Sequence, residues 1–203
     1  MELKTTTEKR NFIGHRILLL KLYCSLSFVS IIGDQNIDDL SQRHVFITGG
    51  SSGIGLALAH QVASQGARVS LLARSLNKLE EAKESIPLSS GVDVSIFSAD
   101  VRDYDAVHRA VNDAGPIDVL VVNQGVFVPQ ELEKQGLDEV RFMIDVNLMG
   151  SFNVIKAALP LMKERKDRRP TSIALISSQA GQVSSRIIEL CCLVTKDLFC
   201  CLF

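Results

Sequence analysis

Residues 45–55 read VFITGGSSGIG, an apolar run that breaks into glycines and serines and then resumes, over residues 54–62, as an apolar stretch of helical period. That order describes a strand, a tight turn and a helix start. Three glycines have separate tasks in such a turn: Gly49 lets the chain leave the strand sharply, Gly53 lets backbone approach a pyrophosphate, and Gly55 lets the helix pack against the sheet. The helix then aims its unpaired N–H groups and the positive end of its dipole at the anion. The pattern predicts dinucleotide binding, with Ser51, Ser52 and Ile54 completing the phosphate loop.

Residues 49–53 also spell the GxSxG of a hydrolase nucleophile elbow. An elbow needs a histidine late in the chain to activate its serine. Here His60 falls in the first helix, His108 in the third, and no histidine follows. The hydrolase reading is rejected on that ground.

From residue 44 onward short apolar runs alternate with longer helix-like stretches. Strands are expected at 67–72, 92–97, 119–122 and 172–176, and helices at 76–85 and 104–114. A long helical stretch over 137–164 is expected to bend or end at Pro160. Alternation of this kind implies a Rossmann-type, doubly wound parallel α/β sheet with its ligand at the carboxyl ends of the strands. The 203 residues, 46% of them hydrophobic, suit one nucleotide-binding domain spanning 44–183. Lys+Arg 22 against Asp+Glu 23 leaves no basic excess to suggest nucleic acid. Five cysteines without a CxxC spacing support neither a metal site nor a disulfide framework.

Residues 1–43 form a separate extension in which Lys4, Lys9, Arg10, Arg16 and Lys21 precede the apolar stretch 22–33. The uninterrupted part is shorter than the roughly 20 residues a spanning helix needs. Including residues 17–20 would put Lys21 inside the apolar core. A weak anchor, an interfacial segment, a signal-type apolar region and a loosely packed extension all remain open.

The cofactor is read at the end of the second strand, where an NAD site places a carboxylate on the adenine ribose. Here the strand runs into Ala73 and Arg74, with Lys78 one helical turn later. A guanidinium and an ammonium suit a 2′-phosphate, so NADPH is expected rather than NADH.

These residues carry a family resemblance over 43–183. Residues 48–55 match the TGxxxGxG of the short-chain dehydrogenase/reductases, Asp100 and Val101 their adenine-contacting pair, and Asn147 their active-site asparagine. The stretches VVNQGVF, IDVNLMGSFNVIKAALP and SSQAGQV look more narrowly like the 3-ketosphinganine (3-dehydrosphinganine) reductases, and Asn123, Gln124 and Gly125 stand where most of the superfamily has NAG. The resemblance implies hydride transfer from NADPH to the C3 ketone of a long-chain sphingoid base. It also implies a home at the endoplasmic reticulum membrane with the nucleotide domain facing the cytosol, and is compatible with a homo-oligomer. Within it Ser178, rather than Ser177, would polarise the carbonyl, Asn147 would anchor a proton-relaying water, and Asn123 would join the cofactor set. A tyrosine would be the acid and a lysine four residues on would lower its pKa.

Here the chain departs from the family. Its two tyrosines, Tyr23 and Tyr104, both precede Ser178, and the YxxxK stretch is replaced by SSRIIELCCLVTKDLFCCLF. Cys192 and Lys196 share the spacing, but a thiol is softer, shorter and differently placed than a phenol, and the coincidence is read as accidental. Residues 184–203 therefore read as an apolar tail foreign to the family, on a sheet incomplete at its C-terminal side with 172–177 as an open edge. The terminal CCLF formally fits a prenylation box but has no upstream polybasic run. Two readings follow, a ketosphinganine reductase and a non-catalytic NADP-binding fragment able to pair with a full-length relative.

Overall fold

The computed structural model describes residues 40–86, 92–128, 130–164 and 169–176. The chain divides into units 1–40 and 41–203, and every element below belongs to the second. The expected N-terminal membrane segment, Ser178 and the 184–203 tail lie outside the described residues.

Five strands form one sheet: β1 (His44–Thr48), β2 (Arg68–Ala73), β3 (Val94–Ser98), β4 (Val119–Val122) and β5 (Ser172–Leu175). Their order is β3-β2-β1-β4-β5 and every pairing is parallel. Parallel strands need helical crossovers, supplied by α1 (Gly53–Ser64), α2 (Leu76–Ser85), α3 (Tyr104–Ala114), α4 (Leu137–Ile144) and α5 (Gly150–Lys163). β1 and β4 are buried at every position, which is why their sequences read as unbroken apolar runs rather than alternating ones. Ile47 sits opposite both Leu71 and Val121, so the glycine turn leaves from the middle of the sheet.

Successive side chains point to opposite faces. Phe46, Leu72, Leu120 and Val122 meet Val107 and Val111 of α3 and Val154 and Ala158 of α5 in one core. On the other face α1 buries Leu58, Ala59 and Val62. The chain first winds outward from β1 through β2 to β3, then returns to place β4 on β1's other flank. The two windings part between the carboxyl ends of β1 and β4, and a crevice opens there.

The amino ends of the strands are pinned by buried polar groups. The Asp118 carboxylate accepts the His44 N–H at 2.7 Å, Arg43 Nη2 donates to the Pro170 carbonyl at 2.6 Å, and His44 Nε2 lies 2.7 Å from Ser70 Oγ. Arg43 Nε stands 3.6 Å from Asp118 Oδ1, an ion pair too long for a hydrogen bond. These contacts tie the residues leading into β1, β4 and β5 to each other and to β2.

One expectation needs correction. The 137–164 stretch is a single helical column of 27 residues, Leu137–Lys163, which does not end at Pro160 and which holds a π-helical turn at Asp145–Met149. Pro160 is exposed and lies inside α5, which runs on past it to Lys163. By length and composition this column could cross a membrane, and it is the one such helix among the described residues. Half of its apolar window is buried inside the domain, as for the core helix of a globular protein.

Removing the Asp118 carboxylate would leave Arg43, nearly buried, without its counter-charge. Asp118→Ala should therefore destabilise the domain by about 3 kcal/mol or more, read as a lowered midpoint in urea unfolding.

Candidate functional site

The crevice holds a cavity of about 410 Å³ at the carboxyl ends of β1, β2, β3 and β4. Gly49, Ser51, Ser52, Ile54, Arg74, Lys78, Asp100, Val101 and Asn123 all line it. Gly53 and Gly55, the two remaining residues of the expected cofactor set, are not among the lining residues.

The glycines divide the work as their chemistry demands. Gly49 (φ +62°) turns the chain off β1 and donates its N–H to the Leu72 carbonyl at 2.8 Å. Gly53 (φ +59°) has nothing within 4 Å of where a Cβ would stand, so its backbone is open to an approaching group. At Gly55 a Cβ would fall 2.4 Å from the Gly49 carbonyl oxygen and 2.6 Å from Asn123 Nδ2. Only hydrogen fits. Ser52 caps α1 with extended backbone and no side-chain bond, and the first turn of α1 carries no acidic residue. The positive end of the helix thus meets no protein carboxylate of its own.

Asn123 holds this turn. Its Nδ2 donates to the Thr48 and Gly49 carbonyls at 3.2 and 3.3 Å, and its N–H donates to Thr48 Oγ1 at 2.9 Å. Thr48 Oγ1 in turn donates to Gln124 Oε1 at 2.5 Å, and Gln124 Nε2 donates to Ser151 Oγ at 2.9 Å. Gln124, noted in the sequence only as a departure from NAG, is therefore a bridge from β1 to α5. Asn147 lies buried in the π-helical turn. Its Oδ1 accepts the Val126 N–H at 2.8 Å and its Nδ2 donates to the Val126 carbonyl at 2.9 Å. In this structure the Asn147 carboxamide fixes the loop that follows β4, a partnership that sequence spacing does not reveal.

At the other end, Arg74 and Lys78 stand exposed on the rim, Lys78 placed in the first turn of α2 by the Ser75 cap. The Arg74 guanidinium lies 5.9 Å from the centre of the Phe142 ring. Asp100 receives Arg102 as a fork: Nε donates at 3.0 and 3.1 Å to its two oxygens and Nη2 donates at 2.7 Å. That hydrogen bonding holds the Asp100 carboxyl below its ordinary value of 3.8, against the opposing effect of partial burial, and the cation of Arg74 adds to it. Val101 is clasped from α5, where Asn153 Nδ2 donates to its carbonyl at 2.9 Å. A Cβ on Gly150 would press to 2.6 Å from Val101 Cγ2.

Tyr104 and His60 are not among the residues that line this cavity. Tyr104 stacks on His108 with Lys156 over its ring, on the α3 and α5 side of the sheet. His60 Nε2 lies 3.2 Å from Ser85 Oγ.

The family model for short chain dehydrogenase matches residues 43–189. The chain belongs to the short-chain dehydrogenases. Among solved members of this fold it is similar to L-sorbose reductase from Gluconobacter frateurii complexed with NADPH and L-sorbose (TM-score 0.72, 26% identity, 80% of this chain and 62% of that one). It is also similar to a 3-oxoacyl-[acyl-carrier protein] reductase with bound NAD from Brucella melitensis (TM-score 0.69, 30% identity, 78% and 62%). Within the short-chain dehydrogenases it is most like the 3-dehydrosphinganine reductases. It is 63% identical over 170 residues to 3-dehydrosphinganine reductase TSC10B of Arabidopsis thaliana, covering 84% of this chain and 51% of that protein. TSC10A of the same plant is 71% identical over 141 residues (70% and 43%), and the 3-dehydrosphinganine reductase of Danio rerio 37% over 152 (71% and 45%). The chain spans about half the length of these curated relatives.

The lowered Asp100 value has a sign that can be checked. A carboxyl depressed on folding contributes stability above its ordinary value and loses it as the pH falls through the lowered one. A carboxyl-resolved NMR titration should find Asp100 ionising below 3.8, and Arg102→Gln should return it toward that value.

Proposed function

We propose that this chain is the cofactor-binding part of an NADPH-dependent ketone reductase of sphingolipid synthesis, its substrate the C3 ketone of a long-chain sphingoid base. The observation that carries the cofactor reading is the end of β2, where Arg74 and Lys78 stand on the rim in place of the acidic residue an NAD site would use. The substrate reading is supported by the 63% and 71% identities to 3-dehydrosphinganine reductases.

The residues present suit the cofactor. Gly53 leaves open space at a left-handed backbone turn, α1 presents N–H groups uncapped by any side chain, and the rim cations can take a 2′-phosphate. NADPH, when bound, supplies the hydride. In this reading Asp100 and Val101 receive the adenine, and the Asn147–Val126 clasp keeps the loop after β4 in place beside the nicotinamide end. Ser178 polarises the ketone, donating a hydrogen bond to the oxygen on which charge grows. The basic and apolar N-terminal extension would keep the domain at the cytosolic face of the endoplasmic reticulum membrane, within reach of a lipid substrate.

The second reading, a non-catalytic NADP-binding fragment, is favoured by one feature: no tyrosine follows Ser178 in these 203 residues. General acid catalysis is typically worth about 10² to 10⁴-fold, so the chain should bind NADPH yet reduce ketosphinganine at least about a hundredfold more slowly than a version continued after Val183 by a YxxxK segment. NADPH oxidation with ketosphinganine distinguishes the two. Turnover within about tenfold of the continued version would assign the proton transfer to other groups, Cys192 and Lys196 first.

The cofactor reading has its own test. Charge-assisted hydrogen bonds to a phosphate are worth about 1.5–3 kcal/mol each. Arg74→Ala should weaken NADPH binding roughly tenfold or more and leave NADH nearly unchanged, in a fluorescence titration of each. Equal losses would refute a 2′-phosphate site at Arg74.

A further inference from the structure

Among the described residues lining the cavity, two carry positive charge, Arg74 and Lys78, and one carries negative charge, Asp100. A bare carboxylate there would repel a nucleotide in proportion to the nucleotide's own charge, and a 2′-phosphate raises that charge. The carboxylate is not bare. Arg102 lies outside the lining but grips both Asp100 oxygens through Nε and Nη2, and its backbone N–H adds a fourth contact, to Oδ1 at 3.0 Å.

The fork is itself held in place. The Arg102 guanidinium lies 5.2 Å from the centre of the Phe142 ring, the ring that Arg74 also approaches at 5.9 Å. The Arg102 carbonyl accepts from Asn153 Nδ2 at 3.4 Å, beside that residue's shorter bond to Val101. Two guanidinium groups thus share one aromatic platform on α4, one turned to the rim and the other to the carboxylate.

We propose that Arg102 is a specificity-determining residue for the adenosine end of the cavity: by cancelling the charge of Asp100 it lets the site prefer a 2′-phosphorylated nucleotide over its unphosphorylated counterpart. The inference rests on the reading of the cavity as an NADPH site and adds to it a residue that need not touch the ligand. Arg74 and Lys78 attract the 2′-phosphate. Arg102 removes the repulsion that would oppose them. The lowered pKa of Asp100 agrees with this, since the same contact that stabilises the carboxylate neutralises it toward a third charge.

The test uses the full chain and two small probes, 2′,5′-ADP and 5′-AMP, titrated calorimetrically at low ionic strength so that screening does not hide the effect. The readout is the ratio of the two affinities, from which losses in adenine binding common to both probes cancel. Arg102→Gln should lower the ratio by about three- to tenfold, chiefly through weaker 2′,5′-ADP binding. Arg102→Lys, which keeps the charge and loses the fork, should retain most of the ratio. In the double variant Asp100→Asn with Arg102→Gln the unmasked charge is gone, and the ratio should return to within about twofold of the original.

An unchanged ratio in Arg102→Gln overturns the inference. So does a double variant that stays as low as the single one, because Arg102 would then act by shaping the loop. Failure of the underlying reading looks different: the unaltered chain would bind 2′,5′-ADP no better than 5′-AMP, and Arg74→Ala would leave the ratio where it was.

Discussion

The site depends on a close approach between backbone segments that only hydrogen at Gly55 permits. With Gly49's carbonyl oxygen 2.4 Å from where a Cβ would be, α1 starts directly against the turn that ends β1, and Asn123 from β4's end closes the third side. A methyl group there would push the helix away from the turn and separate the N–H groups of α1 from the space over Gly53. Two consecutive elements and a residue 74 positions further along the chain are thereby held together, and the cavity takes its shape from that contact.

The second organising feature is the column formed by α4, the π-helical turn and α5. Through Asn147 it grips the loop after β4, through Gly150 and Asn153 the loop after β3, and through Phe142 it meets Arg74 at the rim and Arg102 beside Asp100. A regular helix repeats its faces every 3.6 residues, whereas the wider turn at Asp145–Met149 accommodates an extra residue. That offset lets Asn147 point to one loop while Gly150, three residues on, points to the other. One helix thus sets the spacing between the two ends of the crevice.

Much of this was legible in the sequence, for identifiable reasons. The strand-turn-helix order around Gly49, Gly53 and Gly55 has few physical solutions, and β1, the turn and α1 follow in that order. Buried parallel strands show as unbroken apolar runs, so β4 at Val119–Val122 could be placed to the residue, and the helical spacing of Leu76–Ser85 did the same for α2. The π-helical turn was not legible, because one extra residue in a helix leaves no trace in a pattern read over a few turns. Nor were the partners of Asn147, since its carboxamide binds backbone atoms of Val126, which every residue has. Arg102 was hidden differently: a cation two residues after Asp100 reads as an ordinary solvated loop charge until the fork is seen.

The position of β1 in the sheet has a consequence for how the protein comes into being. Its neighbour β2 follows it closely in the chain, but its other neighbour β4 begins only at Val119, so a nascent chain can pair β1, β2 and β3 well before β4 leaves the ribosome. Until then β1 is an edge strand, and apolar groups that end wholly buried, Val45 and Ile47 among them, lack one flank of cover. The turn at Gly49 likewise waits for Asn123, 74 residues away. The crevice thus forms only once β4 has been made, and a chain interrupted before β4 would have the glycines of the motif without it.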